Sequence, residues 1–248
     1  MSHPEERARA ALVSVSRRLH SAGWVANHDG NASARLDDGR ILATPTAVSK
    51  AEVSAESLVT LNDEGAVIAG TRKVFSEIAL HRCAYRVRED VSAVLHAHPP
   101  YATAMAVAGV GLGAPFMAEP VVSLGREIPL IPHLLPGEDD GELAEALTRA
   151  DAVLLGNHGV LTVGPDLETC LLRMELVEHL AKIFTLSLPH GGPRALDERL
   201  VDTLQSKHEQ LFPKRLRDSA RSHVEDDAPI APLARAQDVV KDALSRFR

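Results

Sequence analysis

Aromatic side chains are what this chain has least of: they make up 3% of its 248 residues, with one tryptophan and two tyrosines. A core of that composition must be built from Leu, Val, Ala and Ile. At 45% apolar content there is enough of them to bury one sizeable core, so one large domain is expected rather than two. Cysteine is nearly absent. Cys83 and Cys170, both in helix-like surroundings, do not make a disulfide framework. No run approaches the roughly 18–20 apolar residues that a membrane span needs. The opening Met1-Ser2-His3-Pro4-Glu5-Glu6-Arg7 carries charges where a signal peptide would need an apolar run. Excess positive charge is also missing: a net charge of -7 argues against a nucleic-acid or membrane-surface partner. These absences point to a cytoplasmic protein.

What is present alternates between two kinds of segment. Residues 4–21 carry Ala8, Ala11, Leu12, Val15 and Leu19 at helical spacing. Short strands are predicted at 32–36, 41–43, 58–61 and 67–68, joined in pairs by the turns Asp38-Gly39 and Asn62-Asp63-Glu64-Gly65. Further helices are predicted at 76–87, 101–108 and 141–150, and further strands at 91–98, 121–122, 128–131, 152–155 and 160–163. The longest helix opens at Pro165 or Asp166 and runs through Ile183, with Glu168, Arg173, Glu175 and Lys182 on its wet face. After a break at 187–193 come a helix at 197–211, a mobile linker near 219–233 and a last helix at 234–247. Hairpins mixed with helices predict a layered α/β fold with a mixed, largely antiparallel sheet. Residues 1–190 read as the main domain and 191–248 as a helical extension.

The most informative motif is Val94-Leu95-His96-Ala97-His98-Pro99-Pro100. Two residues apart on an extended segment, His96 and His98 leave the same face of the strand, so both imidazoles can serve one cation. The two prolines end the strand there. A third histidine, His158, follows the apolar run 152–155 in the turn Gly156-Asn157-His158-Gly159. If the two strands are neighbours, three nitrogens converge with an open position, the arrangement of a catalytic divalent metal. Against this stands the number of histidines, 12 in all, which makes an isolated pair a weak sign.

Carbon chemistry at a metal also needs a proton acceptor, and Glu77 is the candidate. It follows Ser76, a good N-cap, and so is expected in the first helical turn, where the helix dipole favours a carboxylate. His81, one turn on, makes Glu77-x-x-x-His81 a rival ligand pair. Gly30-Asn31-Ala32-Ser33 reads as a tight turn whose amides suit a phosphate or carboxylate, and Thr44-Pro45-Thr46 adds hydroxyls nearby.

Taken in order, Gly30-Asn31-Ala32-Ser33, Thr44-Pro45-Thr46, Ser76-Glu77, His96-Ala97-His98 and Gly156-Asn157-His158-Gly159 resemble the class II aldolase/adducin family over residues 8–185. The resemblance implies a three-layer α/β/α domain, usually a homotetramer. It implies that His96, His98 and His158 bind Zn2+ or another divalent ion (Mn2+, Co2+ or Fe2+), with Glu77 as acid/base and a ligand in some members. Gly30, Asn31, Thr46, Ala47 and Ser76 would face the substrate, a small sugar or sugar phosphate. Two departures stand out: Phe75-Ser76-Glu77 replaces a Ser-Ser-Glu, and Thr44-Pro45-Thr46-Ala47 replaces a Thr-Pro-Thr-Gly. Both weaken the expected phosphate pocket and bring an unphosphorylated substrate into view. Phe116 stands where the aldolases carry a tyrosine, Tyr101 is the other tyrosine near the metal, and no tyrosine follows Ala195. The expected reaction is aldol cleavage through a metal-stabilised enediolate. Epimerisation, dehydration and 3-oxo-acid decarboxylation are the alternatives within the family. An adducin-like scaffold and a three-histidine iron oxygenase are the alternatives outside that chemistry.

Overall fold

The computed structural model describes residues 4–132 and 140–217; the predicted linker near 219–233 and last helix at 234–247 lie outside the described residues. Eight strands form one sheet: β1 (Asn31–Arg35), β2 (Ile41–Ala43), β3 (Val59–Leu61), β4 (Val67–Ala69), β5 (Ala93–Ala97), β6 (Leu130–Ile131), β7 (Ala152–Leu155) and β8 (Gly159–Gly164). Their order is β4-β3-β2-β1-β5-β8-β7-β6, and all neighbours are antiparallel except β6 with β7. The mixed, largely antiparallel α/β architecture is thus the expected one.

Alternation along the strands builds the layers, since successive side chains point to opposite faces. Ala32, Ala34, Ala93, Leu95, Ala152, Leu154 and Val160 join α1 (Pro4–Ser21), α3 (Pro100–Val107) and α6 (Leu167–Ser187) in one apolar cluster. Val94, Val153, Leu155, Leu161 and Val163 join α2 (Ile78–Val87) and α5 (Gly141–Arg149) in a second cluster on the other face. The odd-numbered positions of β1, Asn31, Ser33 and Arg35, therefore meet α2.

Three expectations need correcting. Val121 and Val122 lie in α4 (Ala118–Leu124), not in a strand. Two β-branched residues are too short a signal, and packing against α7 (Glu198–Leu211), where His208 meets the Val122 carbonyl, decides the conformation. The strand expected at 128–131 shrinks to Leu130–Ile131, because Pro129 has no N–H to give the ladder. Arg173, expected in water, is buried. Its guanidinium lies 2.7 Å from Asp151, which is itself completely buried.

Asp151 also meets Arg88 at the end of α2, with Lys214 at 3.9 Å. This ionic knot ties α2, α6 and the segment after α7 to the start of β7. Backbone bonds from Arg217 to Val87 and from Glu89 to Arg215 fasten the same segment. Burial pushes the Asp151 carboxyl up, but Arg88, Arg173 and Lys214 outweigh it and hold it below its ordinary value. A carboxyl lowered by folding stabilises above the unfolded value near ~3.9 and loses that contribution as pH falls through the folded one. Asp151→Ala leaves buried cations uncompensated and is expected to cost about 3–5 kcal/mol. Urea unfolding at pH 7 checks this, and the loss should shrink below about pH 4.

Candidate functional site

The register of three strands assembles the site. Asn31 pairs with His96 across β1 and β5, and on the other side His96 pairs with Leu161 and Ala97 with Val160. His158, just before β8, is thereby brought level with His98, just after β5. Two glycines permit this approach. A Cβ on Gly159 would lie 2.5 Å from His98 Cδ2 and 2.6 Å from the Ala97 carbonyl. Gly30 has φ +68°, and a Cβ there would lie 2.4 Å from Val25 Cγ1.

Ligand atoms of His96, His98 and His158 all lie within 4.8 Å of one another. His96 Nδ1 donates to the Val160 carbonyl at 2.9 Å, and His98 Nδ1 donates to Asp29 Oδ2 at 2.8 Å. Each bond leaves the ring's Nε2 lone pair for the site. Burial pulls the His96 imidazole down to about 3 against the attraction of Glu77, so it is neutral at physiological pH. The α3 helix that follows the His98 turn is held by Glu178, whose two oxygens accept from the amides of Tyr101 and Ala102 at 3.0 and 2.9 Å.

Glu77 completes the set. Its Oε1 is 2.8 Å from His158 Nε2, and its Oε2 is 3.6 Å from His96 Nε2. The sequence placed Glu77 in the first helical turn with Ser76 as cap; instead α2 begins at Ile78 and Glu77 itself is the N-cap residue, with no side-chain capping bond. Its carboxylate is drawn into the site by His158 and by Asn31 Nδ2 at 2.7 Å. Burial pushes the carboxyl up, but the hydrogen bonds from His158 and Asn31, with the pull of the histidine cluster, hold it well below the ordinary range. Glu77 is ionised across physiological pH.

The other expected substrate residues sit on two adjacent loops. Pro45 bridges Val74, and the Thr46 amide donates to the Lys73 carbonyl at 3.0 Å, so the loop carrying Thr46 and Ala47 lies against the segment that leads to Ser76 and Glu77. Ala47 occupies the left-handed region at φ 56°, which suits the glycine of the resembling motif better than alanine. Ser76 is exposed beside Glu77, whereas Phe75 is buried with its ring on His81, centroids 4.9 Å apart. Asn31 is buried with both ends of its amide engaged inside the protein, to Glu77 and to His81. Asp29 was missed in the sequence, although it directly precedes Gly30; only the fold shows that it orients His98.

The donor set fits a divalent cation. With both Nδ1 atoms engaged from behind, the Nε2 atoms of His96 and His98 stand 3.1 Å apart, a spacing that one shared cation can bridge. Nitrogens about 2.1 Å from one tetrahedral ion stand about 3.4 Å apart, close to that spacing. A model of the class II aldolase and adducin N-terminal domain matches residues 10–185. The chain belongs to that family. A class II aldolase-family relative, the 3-oxo-tetronate 4-phosphate decarboxylase of Pectobacterium atrosepticum, is 34% identical over 186 residues, covering 72% of this chain and 84% of the relative. The 5-deoxy-D-ribulose 1-phosphate aldolase of Bacillus thuringiensis serovar kurstaki is 29% identical over 209 residues, covering 82% and 96%. The crystal structure of YgbL from Klebsiella pneumoniae superposes with a TM-score of 0.75 at 30% identity, covering 82% of this chain and all of that one (100%).

Class II aldolase-family members are typically dependent on a divalent metal, and the geometry yields a direct test of binding. Adding Zn2+ or Mn2+ to metal-stripped protein should stabilise it by about 2.7 kcal/mol at a hundredfold excess over Kd. Calorimetry should show the rise for the wild type and none for His96→Ala.

Proposed function

We propose that this class II aldolase-family protein is a metal-dependent carbon–carbon lyase, with His96, His98 and His158 holding the ion and Glu77 as acid/base. The observation that carries the reading is the ionised Glu77 carboxylate facing two of the three histidines, at 2.8 Å and 3.6 Å. A bound divalent ion supplies Lewis acidity for the charge left on the substrate's oxygens when the bond beside a carbonyl breaks. The chain's own residues do the rest. Asp29 and the Val160 carbonyl aim the imidazoles. Glu77, unprotonated at rest, takes up a proton from solvent and delivers it to the carbon that has lost its partner. We assign Gly30, Thr46, Ala47 and Ser76 to the phosphate end of the substrate pocket, where the exposed Ser76 would supply a hydroxyl.

This machinery serves both the aldol cleavage expected from Glu77 and the decarboxylation of a 3-oxo acid, and relatives carry both names. One observation favours decarboxylation. Aldol cleavage turns an alcohol into an aldehyde, so beside Glu77, which serves the carbon, a second group must take the hydroxyl proton; loss of carbon dioxide from a 3-oxo carboxylate needs no second group. The chain has two tyrosines for that task. Tyr85 is buried against Ser33, and the ring of Tyr101 lies under Lys182 Nζ, 5.6 Å from its centroid. Phe116 packs on Phe184. We therefore assign a phosphorylated 3-oxo sugar acid as substrate and place the aldolase reading second.

The deciding assay offers metal-loaded protein 3-oxo-tetronate 4-phosphate and a panel of ketose 1-phosphates. Carbon dioxide release is expected from the first, with kcat lowered about 100- to 10,000-fold in Glu77→Gln. Aldehyde release from a ketose phosphate at higher kcat/KM would make the protein an aldolase, and activity untouched by Glu77→Gln would remove that residue from the mechanism.

A further inference from the structure

Four polar side chains lead away from Glu77 into the protein, and their hydrogen bonds have one consistent direction. The Glu77 carboxylate only accepts, so the atom 2.7 Å from its Oε2 is a donor, Asn31 Nδ2. Asn31 Oδ1 then faces His81 Nε2 at 2.7 Å, and that nitrogen must carry the proton. His81 is completely buried and neutral, with its imidazole pulled down to about 3 chiefly by burial. Its Nδ1 is therefore an acceptor, and the Ser33 hydroxyl donates to it at 2.7 Å. Ser33 Oγ accepts in turn from the Tyr85 hydroxyl at 2.7 Å.

We propose that Tyr85, Ser33, His81 and Asn31 form a one-way relay that positions Glu77, holding Oε2 as an acceptor and turning Oε1 toward the histidine cluster. The proposal rests on the acid/base reading of Glu77. Reversal of the row would turn the Tyr85 proton away from Ser33, its one hydrogen-bond partner among the described residues. The row is buried, and the ring of Phe75 covers His81, so water is kept from a ring whose tautomer decides the orientation of Asn31. Phe75, a departure from the family pattern, thus acts on the site through His81 rather than by touching substrate.

The geometry behind the relay is a match of repeats. Glu77, His81 and Tyr85 are spaced i, i+4, i+8, which along a helix is about 6 Å per step. Asn31, Ser33 and Arg35 are spaced i, i+2, i+4, about 6.6 Å per step along a strand. The two rows therefore interleave without slipping over two steps. Arg35 closes the row, with its guanidinium carbon 5.1 Å from the centre of the Tyr85 ring and a hydrogen bond to the Tyr85 carbonyl at 3.0 Å.

The test begins on the wild type. Long-range proton–nitrogen correlation spectra of metal-loaded, 15N-histidine-labelled protein should show His81 as the neutral Nε2–H tautomer from pH 5 to 9. An Nδ1–H or charged ring would overturn the relay whatever Glu77 does. In kinetics, His81→Leu should lower kcat about 10- to 100-fold with KM and bound metal unchanged. His81→Gln, which can present an N–H toward Asn31, should recover most of the loss. Tyr85→Phe should keep the fold and mix the His81 tautomers. If His81→Leu, folded and fully metallated, retains full kcat, positioning by the relay is refuted. If Glu77→Gln retains full kcat while the tautomer is as stated, the acid/base reading fails and the hydrogen-bonded row stands as structure alone.

Discussion

The site depends on keeping the ionised Glu77 carboxylate and the neutral His96 imidazole side by side, 3.6 Å apart, where burial opposes charge on both. Burial opposes the charge on Glu77, and that penalty is offset only because His158 and Asn31 both reach it. Burial also opposes any charge on His96, which leaves its nitrogen as a lone-pair donor. The same desolvation therefore readies both partners, a base that stays ionised and a ligand that stays neutral. The histidine rings are held from behind by Asp29 and the Val160 carbonyl, so their lone pairs point inward before any cation arrives.

The scaffold makes that arrangement possible by giving the two faces of the sheet different work. One face is apolar almost throughout and packs on α1, α3 and α6. On the other, the apolar cluster over α2 and α5 is interrupted by the polar odd positions of β1, met by the polar row of α2. A buried polar seam of this kind is costly if any member lacks a partner. Here each named member has one, which ties the placement of α2, and hence of Glu77 at its start, to the strand beside His96. At the far end of α2 the Arg88–Asp151 pair anchors the helix to β7 and α6. Helix α2 is thus held by polar contacts at both ends and by the His81–Tyr85 seam between them.

Much of the fold was legible because long periodic segments declare themselves. The spacing of Leu12, Val15 and Leu19 located α1, and the apolar run before His96 located β5. The valine pair 121–122 misled because a two-residue signal yields to its tertiary neighbours. Arg173 misled because helical periodicity says which face a residue is on, not whether a buried Asp151 waits there. Within the site, the three histidines and Glu77 were legible as residue types at strand ends and a helix start. Asp29, Ser33 and Tyr85 were not, since a serine or an aspartate in a strand or loop has no pattern that distinguishes it from its many ordinary uses.

By itself the sequence determined the chemistry on offer: imidazole nitrogens two residues apart on a strand, a third after a glycine-bounded turn, one carboxylate at a helix start and few tyrosines. It determined these because side-chain type and local periodicity are properties of neighbours along the chain. Only the tertiary structure decided that β8 lies beside β5 in a register bringing His158 level with His98, that Glu77 faces inward, and that Asn31 serves the protein's own carboxylate. Those facts depend on strand pairing and helix docking across 46 or more residues of chain, whose energies no local pattern encodes.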